Sequence, residues 1–155
     1  ILPISATMIG IVPLGVSLAF LVILKFFTGE SFSWALALLP FVIFVHFLFL
    51  SALGVLFAII TTFVRDFGIL LPNLLLICLF ATPIFYPIET LPSIAQHIQQ
   101  FNPFYVISEA YRSVLLGQQS PNFLAIVILF AISWLLIIVN LKMFRRIKGF
   151  FAAII

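Results

Sequence analysis

Charge is what this sequence has least of. Seven Lys or Arg and four Asp or Glu make up 7% of its 155 residues, where soluble domains carry about a quarter. So few polar groups cannot cover a water-soluble surface around a chain that is 65% hydrophobic, with a mean hydropathy of +1.40. Lipid is therefore the main solvent, and the chain reads as an integral membrane protein. The lone cysteine, Cys78, excludes an intrachain disulfide and reads as a small buried hydrophobe. There is no phosphate-cradling GxxxxGK loop, no nucleophile elbow and no pair of carboxylates at acid–base spacing, so no enzyme chemistry is expected. Neither His46 nor His97 has a further ligand at metal spacing, so neither metal nor cofactor is expected on this chain. Four of the seven basic residues, Lys142, Arg145, Arg146 and Lys148, cluster at the C-terminus. That pattern suits membrane orientation better than nucleic acid.

What is present is a set of long apolar runs. Continuous rather than alternating, they indicate helices and not barrel strands. Four spans are expected, at about 2–27, 34–64, 67–86 and 122–143, in a single all-α transmembrane domain over 1–155. The second would be about 46 Å long at about 1.5 Å per residue, so it must tilt, project or bend at Pro40. With the C-terminal "LKMFRRIKG" cytoplasmic, the turn at Arg65 and the N-terminus are cytoplasmic too, and 28–33 and 87–121 lie outside. The start at Ile1, with no Met placed like a natural beginning, suggests a piece of a longer product.

The segment "FATPIFYPIETLP" at 80–92 breaks its own span with Pro83, Pro87 and Pro92. "LPSIAQHIQQF" then places Ile94, Ile98 and Phe101 on one helical face, with Gln and His around the rest. Asn102 suits an N-cap and Pro103 a first helical residue, so a second helix is expected from 103 to a stop at Gly117. The two helices, about 91–101 and 103–116, would be about 16 and 21 Å long against a hydrocarbon core of about 30 Å. They must lie on the outer leaflet or dip in and return, and a re-entrant pair needs protein or water beside it.

Glu109 and Arg112, at i and i+3, can form an ion pair that either steadies the second short helix or acts in a gate. Phe85, Tyr86, Phe101, Phe104, Tyr105 and Tyr111 surround the broken region; they read either as an interfacial belt or as a lining for sugar rings. Asp66 is expected to cap the third span while Arg65 reaches lipid phosphates. His46, in mid-span, is expected to hydrogen-bond to a neighbouring helix, and His97 to sit on a solvated face.

In order and spacing, "VRDFGILLPNLL", "ATPIFYPIETLP", "FNPFYVISEAYRSVLLG" and the final "FRRIKGFFA" resemble the permease subunits of ABC-type polysaccharide exporters, which move lipid-linked O-antigen, teichoic acid or capsule chains out of bacteria. The resemblance covers essentially the whole chain and implies the last four of six spans. It further implies a homodimer in the bacterial cytoplasmic (inner) membrane, served by a separate ATPase subunit that binds ATP and Mg. The polymer would pass between the two permeases. On this comparison Pro83, Pro87, Asn102 and Pro103 shape an outer gate. Phe85, Tyr86, Phe101, Phe104, Tyr105, Glu109, Tyr111 and Arg112 hold or line it. Arg65, Asp66 and Phe67 match a cytoplasmic turn. The rivals are a related permease exporting drugs or other lipids, and a four-helix channel or structural protein working without ATP.

Overall fold

The computed structural model describes residues 2–29, 34–117 and 120–151, and among them all regular structure is helical. Residues 30–33, within the stretch 28–33 expected outside, and the Lys148 side chain of the C-terminal basic cluster lie outside what is described. Helix α1 (Leu2–Ile9) and α2 (Ile11–Thr28) form the first apolar run, broken at Gly10. The break follows from Pro13, whose ring crowds the carbonyl four residues back, at Ile9. After a 3₁₀ turn at Trp34–Leu38, α3 covers Leu39–Phe63 with Pro40 in its first turn. A proline there costs no hydrogen bond, so the bend considered at Pro40 becomes the start of the helix. Then come α4 (Arg65–Ala81), a 3₁₀ turn at Ile88–Thr90, α5 (Ser93–Gln99), α6 (Pro103–Leu116) and α7 (Phe123–Phe151).

Among the described residues three helical stretches, Thr7–Thr28, Trp34–Phe63 and Phe123–Arg146, are long and apolar enough to cross a membrane. The expected third span is shorter than 67–86: α4 has 17 residues, about 25 Å of helix. It stops at Ala81 because Thr82 precedes Pro83, and a residue before proline is driven out of the helical region. Thr82 is accordingly extended, at φ −87° and ψ 132°. At the other end Val64, not Asp66, is the N-cap of α4, and no side chain caps it. Asp66 sits within the first turn, where its charge still opposes the helix dipole favourably. Phe67 packs on Phe57, ring centroids 5.8 Å apart. Gly68 lets α4 approach α3 closely, since a Cβ there would stand 3.1 Å from the Thr61 methyl.

The core lies between α3, α6 and α7, with α3 and α7 sharing the most extensive packing. On α3 the buried residues Val42, Val45, Phe49 and Ala52 recur at alternating steps of three and four; Ile126, Leu129 and Ser133 do the same on α7. That is the spacing of a left-handed, knobs-into-holes seam. Within lipid such a seam is held by close packing and interhelical hydrogen bonds. Asn140, fully buried, donates from Nδ2 to the Ala52 carbonyl at 2.8 Å. Its Oδ1 is the one buried side-chain polar atom left without a partner among the described residues. Near the opposite edge of α3, Thr7 and Ser51 hydroxyls meet at 3.1 Å and join α1 to the bundle.

Ala52 has no exposed surface, so Ala52→Leu should overpack the seam and cost about 1–3 kcal/mol. Phe63→Leu, on the exposed end of α3, should stay within about 0.5 kcal/mol. Thermal unfolding midpoints of the two variants in detergent micelles check this, and equal midpoints would contradict the seam.

Candidate functional site

The last carbonyls of α4 have no donors within the helix. The chain beyond provides them. The Gln99 side chain donates from Nε2 to the Ala81 carbonyl at 2.7 Å. The Tyr86 hydroxyl donates to the Phe80 carbonyl at 3.2 Å. Thr82, with no exposed surface, donates both its backbone N–H and its hydroxyl to the Cys78 carbonyl, at 3.0 and 2.8 Å. Pro83 is buried beside it.

Asn102 completes this junction and starts the next helix. Its Oδ1 accepts from the Phe104 N–H at 3.0 Å, the N-cap expected of it, with Pro103 in the first turn. Its Nδ2 donates to Thr82 Oγ1 at 3.0 Å and to Gln99 Oε1 at 2.8 Å. Helix α6 then ends at Gly117, left-handed at φ 68°, as a glycine stop requires. Between its ends α6 runs antiparallel to the first half of α3. Phe104 meets Phe49 edge-on at 5.7 Å, and the Tyr111 hydroxyl shares a 3.1 Å hydrogen bond with His46 Nδ1. The Asn102 corner therefore lies near Phe49, about 15 Å along α3 from Leu39.

Between α6 and the segment 84–89 lies a groove of about 410 Å³. Phe85, Tyr86, Pro87 and Glu89 form one wall; Tyr105, Glu109, Arg112 and Ser113 form the other. Arg112 donates to Glu109 Oε2 at 3.3 Å. Burial first, then the Glu109 carboxylate, pushes the Tyr105 phenol above its ordinary value, so it remains a protonated donor at neutral pH. The groove thus offers aromatic faces, phenol and guanidinium donors, and carboxylate acceptors. It suits a neutral, hydroxyl-rich ligand: C–H faces rest on rings while hydroxyls exchange hydrogen bonds with the charged groups.

Of the residues singled out in the sequence, Phe85, Tyr86, Tyr105, Glu109 and Arg112 meet at this groove, with Pro87 beside them. Phe104 packs against the core and Tyr111 on His46, away from it. Phe101, two residues past the end of α5, is 87% exposed, and Ile94 and Ile98 on the outer face of that helix are exposed as well. That helix turns its apolar face outward and its glutamines inward: Gln96 bonds the Leu91 carbonyl at 2.8 Å, as Gln99 bonds Ala81. Arg65, Asp66 and Phe67 sit at the far end of α4. Glu89 and Ser113 are groove residues that the sequence reading missed. Glu89 was findable as one of only four acidic residues in the chain. It also places a second carboxylate in the groove that holds Glu109, a proximity no sequence spacing showed.

A larger hollow of about 610 Å³ lies at the other end, among Thr7, Gly54, Thr61 and Leu71. Its Thr61 and Thr62 hydroxyls are turned back onto the Phe57 and Ala58 carbonyls at 2.8 and 2.7 Å. It brings no charged group together, so the chemistry points to the groove instead.

The family model described as "ABC-2 type transporter" matches residues 4–116. The O-antigen export system permease protein RfbA of Myxococcus xanthus is 26% identical over 154 residues, 98% of this chain. The chain spans 59% of that relative's length.

Removing the donor at Gln99 should expose how much the α4 end depends on it. Gln99→Leu leaves the Ala81 carbonyl with only the longer 3.5 Å hydrogen bond from the Tyr86 hydroxyl and removes one acceptor of Asn102 Nδ2, a loss of about 1 kcal/mol. Gln99→Glu sets an acceptor against an acceptor and should lower the thermal midpoint further. A Gln99→Leu midpoint equal to that of the unsubstituted protein would show that the carbonyl does not need this cap.

Proposed function

The chain belongs to the ABC-2 type transporter family, and from that premise we propose that it serves as the membrane permease of an ATP-driven exporter of lipid-linked polysaccharide. The family makes it a multi-pass membrane transport subunit. The glycan cargo is supported by the 26% identity to an O-antigen export permease and, above all, by the groove itself. Phe85, Tyr86 and Tyr105 flank Glu89, Glu109 and Arg112, a set that holds a sugar by ring faces and hydrogen bonds without fixing it tightly. Successive residues of one polymer could exchange along such a lining.

In this reading α5 and α6 form a re-entrant pair on the outer side of the bacterial cytoplasmic membrane, and α4 is a fourth span that ends at their corner. The corner is backed by α3 and by the end of α4, so its backbone groups find protein partners instead of lipid. The C-terminal basic cluster faces the cytoplasm. Energy comes from an ATPase subunit carrying ATP and Mg, and a second copy of the permease closes the other side of the path. The aromatic and charged groove favours glycan over a drug or simple lipid, for which an apolar lining would suffice.

The test uses the full-length permease with its ATPase in proteoliposomes loaded with lipid-linked polysaccharide. ATP-dependent movement of the glycan is expected, and Arg112→Ala should slow it by about tenfold with assembly intact. ATP-dependent movement of drugs or phospholipid but no glycan would overturn the cargo, and ion conductance without ATP would overturn the transport reading. Unchanged glycan transport in Arg112→Ala would take Arg112 out of the path.

A further inference from the structure

Lys25 lies three residues from the end of α2, in an otherwise apolar helix. A cation in such a setting is costly, and its partner indicates its use. Here the ammonium donates to the Leu115 carbonyl at 2.8 Å and to the Leu116 carbonyl at 3.4 Å, ninety residues along the chain. These are last-turn carbonyls of α6. The Gly117 N–H serves Ser113, so the Val114, Leu115 and Leu116 carbonyls have no donor within the helix. A cation also suits that end, where the helix dipole is negative.

The bond bridges a gap. Helix α2 buries none of its residues and faces α6 across a crevice of about 320 Å³ lined by Leu21, Val22, Leu36, Tyr111, Arg112 and Leu115. Arg112 is thus common to the crevice and the groove, and it stands one turn before the carbonyls that Lys25 holds. Where the end of α2 goes, the end of α6 follows, and Arg112 with it.

We propose that Lys25 is a positioning residue, a tether by which the tilt of α2 sets the place of α6 and so of Arg112 in the groove. The proposal rests on the transport reading of that groove. It also has a structural consequence that can be read without transport: loss of the tether loosens α2 from α6.

The experiment uses the full-length permease–ATPase complex with Cys78→Ala and a reporter pair, Val22→Cys and Leu115→Cys, on the two walls of the crevice. Lys25→Met should slow reporter disulfide formation and the saturated rate of glycan export by about tenfold each. Lys25→Arg, which keeps a cationic donor, should restore both. Should Lys25→Met not assemble, Lys25→Gln, with a shorter stem and no charge, is read in its place and should slow both as well. Export that falls while the reporter is unchanged, a reporter that falls while export is unchanged, or no rescue by Lys25→Arg would each overturn the tether. A complex that exports no glycan in any form would count against the transport reading, and the reporter alone would then decide whether Lys25 holds α6.

Discussion

The last carbonyls of a helix have no donor within it, and the end of α4 at Ala81 shows how much structure gathers to supply donors from elsewhere. The donors come from three places: Thr82 just beyond the helix, Tyr86 in the segment that leaves it, and Gln99 at the end of α5. To bring Gln99 there, α5 must return to the point where α4 stopped. Asn102, bonded to both Thr82 and Gln99 while capping α6, turns the chain back along α3. Pro83 and Pro87 keep the path between them out of the helix, as a run of turns and bends. The groove is the space that this detour leaves beside α6.

The scarce polar groups are accordingly concentrated at joints. Gln96, Gln99 and Lys25 serve backbone carbonyls, Asn140 ties α7 to α3, and the His46–Tyr111 bond ties α6 to α3. Helix α6 is held at its start by Asn102, at its middle by Tyr111 and at its end by Lys25, each reaching a different helix. Its groove face, with Glu109 and Arg112, is left facing the segment 84–89. Helix α6 is thus a wall of the groove whose position is set by several other helices at once.

Much of the hairpin was legible because its signals are local. Asn102, Pro103 and Gly117 mark the ends of α6 by backbone chemistry alone, and the i, i+3 spacing of Glu109 and Arg112 needs only a helix. The seam between α3 and α7 was not legible in the same way. Those helices are apolar on every face, so Val42, Val45, Phe49 and Ala52 do not stand out as a stripe. The direction of α5 was not legible either: Ile94, Ile98 and Phe101 mark one face, and only the carbonyls of Ala81 and Leu91, which Gln99 and Gln96 reach, decide that this face turns outward. Phe104 and Tyr111, aromatic like the groove residues, lie elsewhere because α6 presents different faces to α3 and to the groove, a distinction set by tertiary packing.

The central claim is that glycan in transit touches the groove between 84–89 and α6. A photoreactive phenylalanine analogue at position 85, in the full-length permease with its ATPase and lipid-linked polysaccharide, tests it directly. The same analogue at position 134, an exposed aromatic site on α7, is the reference. The account predicts an ATP-dependent glycan adduct from position 85 and none from 134. An adduct from 134 with none from 85 would contradict it.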